Sequence, residues 1–232
     1  MTHPGTRARL ILSLLFAILL LPVPLHAQEI LTAGEFFDAV AANYASIEDY
    51  IADLVWRDED STMRGELTYK RPNMIRIDFS EPEDQVLVTN GEVLQVYVPA
   101  YFVVLEQELR EAVGSVPGGP ATEAGLALMR RNYDVAYLEG PEPVPLEEGS
   151  ETFVTQLRLD RKQATEGFRQ LVLSIDEDGF IRRIDGTKID YEEVQMELSN
   201  IRINQRVSDQ VFEYEGDPSA STNENFLYDP EG

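Results

Sequence analysis

The chain has 232 residues, with 42 acidic side chains against 19 Lys and Arg and a formal net charge of −23. It is long enough for one or two domains, and a domain of this size buries roughly 70% of the surface its unfolded chain exposes. It holds no Cys, which excludes disulfides, thiolate metal sites and cysteine nucleophiles, and only two His.

The first 27 residues read as a segment apart from the fold. Arg7 and Arg9 make a basic start, residues 10–21 are almost wholly apolar, and Pro22 and Pro24 break the run. Leu25-His26-Ala27 then puts a small residue just before Gln28, the pattern of a cleaved secretory signal. The apolar run is too short to span a bilayer well. No Cys follows it, so the expected mature chain is not itself a lipoprotein.

Removing residues 1–27 takes away two Arg, no acid and both His (His3 and His26), leaving 17 basic against 42 acidic residues, a net −25. A Ser-His-Asp triad, a His base, a His-ligated zinc and thiol chemistry all lose their side chains. Nucleic acid is disfavoured, because phosphate binding needs a basic patch. Carboxylate chemistry, oxygen-ligated cations, or no chemistry remain.

Residues 33–44 read as an amphipathic helix, with Thr32 as N-cap, Glu35 completing a capping box, and Phe36, Phe37, Val40 and Tyr44 on one side. From Ile47 the period changes to two. Tyr50, Ala52, Leu54 and Trp56 alternate with Asp53 and Arg57, and Ile75, Ile77 and Phe79 alternate with Arg76 and Asp78. Residues 86–89, Asn90-Gly91 and residues 93–98 read as a hairpin, and residues 168–175 and 180–184 as a second one around Asp178-Gly179. Residues 152–159, 193–198 and 210–214 are further strand-like runs. Residues 105–113 and 121–131 are helix-like and joined by a Gly/Pro-rich stretch at 114–120. A Pro-rich acidic loop follows at 139–150, and residues 217–232 form a polar, loosely docked tail.

These elements predict one antiparallel, mainly β domain over residues 28–216, with a helix at its start and a helical insertion in its middle. Antiparallel sheets bury one face and wet the other. The apolar faces here fit an ordinary packed core, and they also fit a curved sheet that holds an apolar ligand under the helical insertion.

The run Met63-Arg64-Gly65-Glu66-Leu67-Thr68-Tyr69-Lys70-Arg71-Pro72-Asn73-Met74-Ile75-Arg76-Ile77 is followed by Glu81-Pro82, Val86-Leu87-Val88-Thr89-Asn90-Gly91 and Val96-Tyr97-Val98-Pro99. This ordered series resembles the outer-membrane lipoprotein carrier family, LolA, and the similarity continues through the Asp178-Gly179 hairpin to Phe212, spanning most of residues 30–216.

The resemblance implies an incomplete, half-open antiparallel β-barrel with an N-terminal helix and a helical lid over a hydrophobic cavity. It implies a periplasmic carrier, not an enzyme, that needs no cofactor or metal. Such a carrier takes triacylated lipoproteins from an inner-membrane ABC exporter toward the outer membrane and an acceptor there, as a monomer. Arg71 matches the family's lid-locking Arg, where the other reading is an exposed strand Arg paired with one of many acids. Ile75, Ile77 and Phe79 match its cavity lining, with Leu67, Tyr69, Trp56, Val86 and Val88 as further candidates. Leu126, Leu128 and Met129 are the lid residues expected to touch ligand, although a helix pinned on a core shows the same spacing. The strong acidity, the 139–150 loop and the 217–232 tail match nothing assignable in the family. The charge lessens adsorption to anionic membranes and also suits a saline habitat.

Two other patterns carry competing readings. Ser174-x-Asp176-x-Asp178-Gly179 shares spacing with a calcium loop, but strand-like flanks and Ser in the first position favour a hairpin turn. Glu147-Glu148 and Glu192-Glu193 offer paired carboxylates, yet such pairs arise by chance in so acidic a chain. The alternatives to a carrier are a related half-barrel acting as a lipid or acyl-peptide sensor or regulatory domain, and a carboxylate hydrolase acting on a periplasmic polymer.

Overall fold

Thr32 starts the first helix as its sequence demands. Its backbone N–H donates to the Glu35 carboxylate at 2.8 Å while its hydroxyl accepts from the Glu35 N–H. Helix α1 (Ala33–Ala45) then buries Phe37, Val40 and Tyr44. In this computed structural model the described residues are 31–109, 119–214, 216 and 219–226. Residues 1–27, expected as a signal, residues 110–113 of the expected helix and residues 114–118 of the joint lie outside them.

Strands β1 (Asp49–Arg57), β2 (Thr62–Lys70), β3 (Met74–Glu81), β4 (Glu83–Thr89), β5 (Val93–Val98) and β6 (Val103–Glu108) form a meander. Helix α2 (Glu123–Asn132) interrupts it. Strands β7 (Tyr133–Tyr137), β8 (Val144–Pro145), β9 (Phe153–Arg161), β10 (Phe168–Asp176), β11 (Ile181–Lys188), β12 (Glu193–Ile203) and β13 (Ser221–Glu224) follow. Strand order is β13-β6-β5-β4-β3-β2-β1-β12-β11-β10-β9-β7, with β8 beside β9. Among the described residues every pairing is antiparallel except β13 on β6, and β13 and β7 are the two edge strands. The result is an incomplete antiparallel barrel with both helices against its inner face. Among the described residues no helix is long and apolar enough to cross a membrane.

Cross-strand rows build the core. Tyr50 stands opposite Tyr69 and Tyr69 opposite Ile75, while Ala52, Leu67 and Ile77 make the next row. From the other half Leu157, Leu159, Leu173, Ile175 and Ile184 meet Phe37, Tyr44, Leu126 and Met129 of the helices.

Three local expectations are corrected. Residues 105–108 are strand, not helix: Val96 pairs with Leu105 and Tyr97 with Val104, and this pairing overrides the helical preference of Leu, Glu and Gln. Residues 210–214 are not a strand, because Asp209–Phe212 is a short 3₁₀ turn capped by Ser208 that buries Phe212. Val86 and Val88 stand opposite Asp78 and Arg76, on the outer face, while Leu87 and Thr89 share the inner face with Ile77 and Ile75. The Asn90-Gly91 turn spans four residues between paired Thr89 and Leu94, and the Asn90 side chain accepts from the N–H groups of Glu92 and Val93. Strand β7 and the tail strand β13 had no sequence reading as strands.

The C-terminal segment crosses the outer face. Lys70 donates to the Val207 carbonyl, Arg76 donates to the Val211 carbonyl, and Tyr214 packs on Tyr97 with ring centroids 5.8 Å apart. Its anchor is Asp49, 2% exposed, whose carboxylate accepts from the backbone N–H groups of Gln205, Arg206 and Val207. Asn204 and Arg206 take left-handed backbone conformations that turn these N–H groups inward, a carboxylate nest.

A second polar ladder on the outer face holds the acidic loop. Arg57 donates to Gln195 and Glu197, and Arg183 donates to Glu197, to the Leu146 carbonyl and to Glu147. Burial raises the Glu197 carboxyl, but hydrogen bonds and charge from Arg57 and Arg183 outweigh it and hold it below the usual Glu range. A lowered folded-state value contributes stability that is present above the unfolded Glu range and lost as pH falls through the folded value. Glu197→Gln is therefore expected to lower Tm at pH 6, with the gap to the unmutated protein closing as pH is taken toward 3. A gap that is constant with pH would refute this role.

Candidate functional site

A cavity of about 350 Å³ lies between α2 and the inner face of β10–β12. Its lid side is Leu128, Met129 and the corner formed by Gly119, Pro120 and Gly125. Its floor is Trp56, Leu171, Ile184, Gly186, Val194 and Met196, and Tyr133 and Phe168 close one side. The alternation of β10, β11 and β12 places these side chains on one face.

Gly186 has a specific task. A Cβ there would stand 2.8 Å from the Phe168 ring, so glycine lets that ring lie across β11 as a wall. A glycine inside a strand often marks such a close approach, and this was the sequence signal available for a site at β11.

Among the described residues, one carboxylate lines the cavity. Glu166 sits at its edge and accepts from the Asn132 side chain at 3.2 Å, at the end of α2. Burial, with a smaller contribution from the Glu166 charge, raises the Tyr133 phenol, whose hydroxyl donates to the Phe168 carbonyl. Among the described residues no group of three or more His, Cys, Asp or Glu is placed to hold a metal ion. The lining is otherwise almost wholly apolar.

Of the residues singled out from the sequence, Trp56, Leu128 and Met129 line this cavity. Leu126 is fully buried in the core between α2 and the sheet. Leu67, Tyr69 and Ile75 are core residues, and Ile77 packs against them half-buried. Ile75 touches the site from behind, since its Cδ1 lies against Gly119. Phe79 is buried opposite Gly65. Val86 and Val88 are on the other face, as above. Leu171, Ile184, Val194 and Met196 were not named from the sequence.

Arg71 bonds to α1, not to α2. Its Nη1 donates to the Ala45 carbonyl at 2.8 Å, the end of α1, and lies 3.8 Å from Glu48. Helix α1 is in turn joined to α2 by Arg130 donating to Asp38 at 2.8 Å.

Comparison with known proteins gives the same picture at the level of family. A family model described as "Outer membrane lipoprotein carrier protein LolA" matches residues 55–215. A protein named outer-membrane lipoprotein carrier protein from Haemophilus influenzae (strain PittEE) is 26% identical over 150 residues. One of the same name from Haemophilus ducreyi (strain 35000HP / ATCC 700724) is 28% identical over 138 residues. The matches cover 65% and 60% of this chain, and the chain spans 65% and 58% of the length of those two relatives. The crystal structure of an uncharacterized conserved protein from Thermus thermophilus is similar with a TM-score of 0.54 at 13% identity, over 83% of this chain and 98% of that one. That likeness concerns the fold alone. With a family match over more than half its length, an open barrel and two covering helices, this chain belongs to the outer-membrane lipoprotein carrier (LolA) family.

Proposed function

We propose that this protein is a non-enzymatic carrier that takes the acyl chains of lipoproteins into the cavity beneath α2 and moves them from the inner to the outer membrane. The observation that supports it is the apolar space between α2 and β10–β12, walled by Trp56, Leu128, Met129, Ile184 and Met196. Each methylene kept from water is worth about 0.8 kcal/mol, so three long chains carry a gross cost of tens of kcal/mol across an aqueous gap. A lined cavity removes most of that cost without a bond being made or broken.

At about 350 Å³ the cavity is near the small end of the roughly 300–1,000 Å³ typical of ligand sites. Three acyl chains need more, so loading requires α2 to move outward from the floor. On this reading residues 1–27 are the cleaved signal that delivers the chain to the periplasm, 28–216 the carrier domain and 217–232 its tail. An inner-membrane ABC exporter supplies triacylated cargo and an outer-membrane acceptor receives it, with the carrier acting as a monomer.

Native mass spectrometry of the mature protein, with and without a co-expressed triacylated lipoprotein, tests the proposal. A one-to-one complex that needs the acylated Cys of the cargo is the expected result. A clean ligand-free mass in both samples would overturn it.

Arg71 acts through α1 on this reading. Its bond to Ala45 holds the helix that Asp38 and Arg130 tie to α2. Arg71→Leu is expected to load cargo normally and to pass it on more slowly by no more than about fivefold, a loss bounded by the exposed Arg130–Asp38 pair that links α1 to α2, because a weakened closed state competes less well with bound ligand. Transfer of a fluorescently labelled lipoprotein to an acceptor measures this, and an unchanged rate would remove the lid role from Arg71.

A further inference from the structure

Tyr50 lies in β1 beneath the cavity lid and is buried. Its hydroxyl donates to the Ala121 carbonyl at 2.9 Å, across 71 residues of chain. The ring is held by Tyr69, with centroids 5.2 Å apart, and edge-on by Tyr44 at 6.4 Å, which fixes where the hydroxyl points. Burial raises the phenol well above its ordinary range, so it keeps its proton and remains a donor.

The acceptor sits at the corner that leads into α2. Thr122 caps the helix: its hydroxyl donates to the Gly119 carbonyl at 2.8 Å and accepts from the Gly125 N–H at 3.1 Å. The Gly119 carbonyl packs so closely on Gly125 that a Cβ there would collide with it. Residues 119–125 are thus one stiff corner that moves with α2, and Gly119, Pro120 and Gly125 line the cavity. Of the polar ties that reach α2 from α1 and β1, the Arg130–Asp38 pair is exposed and worth little, while the Tyr50 bond is buried.

We propose that the Tyr50 hydroxyl is the latch between sheet and lid, a positioning residue that sets how readily α2 leaves the cavity floor. The inference rests on the reading of this cavity as the ligand site. One neutral buried hydrogen bond biases the closed state by about fivefold to tenfold, enough to keep an empty cavity shut and little enough for an entering acyl chain to break.

The absence of cysteine makes the test clean. Met129→Cys places a single thiol on the cavity side of α2, and Leu173→Cys places one in the core of β10 as a monitor of general loosening. In ligand-free protein, Tyr50→Phe is expected to speed labelling of the thiol at 129 by a reagent such as Ellman's by about fivefold, with labelling at 173 unchanged. Tyr69→Phe, whose hydroxyl donates to the Pro72 carbonyl and not to the lid, is expected to change neither. Unchanged labelling at 129, or equal acceleration at 129 and 173, would overturn the latch.

Binding of a fluorescent long-chain fatty acid separates the two ideas. Faster release from Tyr50→Phe than from the unmutated protein supports both. No binding to either protein, with the labelling result as expected, keeps the latch and overturns the cavity as ligand site. Should Tyr50→Phe fail to fold, exchange of the Tyr50 hydroxyl proton is followed in the otherwise unmutated chain. Exchange at the opening rate reported at 129 supports the latch, and exchange at the rate reported at 173 overturns it.

Discussion

Leu128→Glu is expected to lower acyl-chain affinity by about 100-fold while the protein stays folded. Full burial of a Leu side chain is worth about 1.5–3 kcal/mol, and a carboxylate in its place adds the cost of desolvating a charge when ligand enters. Leu128 lines the cavity from α2 and is only half-buried, so without ligand the carboxylate reaches water. Titration with a fluorescent fatty acid, beside a melting curve, separates the two effects. Normal affinity would place the ligand elsewhere. Ile75→Glu makes the contrasting arm: at 6% exposure in the main core, it would bury a charge with no partner. Its expected result is loss of more than about 4 kcal/mol of stability, not a folded protein that has lost only uptake.

Asp49→Ala should lower Tm by about 10 °C. The carboxylate accepts three backbone N–H groups from residues 205–207, and removing it leaves all three without that partner at a part-buried site. Breaking such a charge-assisted cluster costs about 3–5 kcal/mol, and at this chain length each kcal/mol moves Tm by about 2–4 °C. Because Lys70, Arg76 and Tyr97 hold the segment only from Val207 onward, residues 204–214 should also become the first site of limited proteolysis. Asp49→Asn keeps a single acceptor oxygen and should fall between. A loss under about 1 kcal/mol would show that the C-terminal segment is held by its other contacts alone.

What could be read from the sequence follows how local each feature is. Helix α1 was legible because its capping box and apolar spacing are set within 13 residues. The two hairpins were legible because Asn90-Gly91 and Asp178-Gly179 supply positive-φ glycines, at +94° and +78°, where the chain reverses. Residues 105–108 were misread because Leu, Glu and Gln favour helix in isolation, and only pairing with β5 and β13 makes them strand. The run Val86-Leu87-Val88-Thr89 is apolar or β-branched throughout, so it carries no phase. Which residues face inward was decided by register with β3.

The candidate site divides the same way. The family resemblance pointed to Trp56 as cavity lining and to Leu128 and Met129 as lid residues, and these three line the cavity. Ile184, Val194 and Met196 belong to strands whose inner face was equally legible, yet alternation does not say which part of the sheet α2 covers. That depends on where the corner at 119–125 lands, and the Tyr50–Ala121 bond helps to set it.

The sequence by itself determined the mainly β class, the first helix, the hairpin reversals and the family, because each is written in short-range spacing or in an ordered run of residues. Tertiary structure alone decided the phase of β4, the place of the cavity, the nest around Asp49 and the Tyr50–Ala121 hydrogen bond. The last two join residues 71 and 156–158 positions apart, and such contacts form only where a curved sheet and its covering helices bring distant backbone within hydrogen-bond reach.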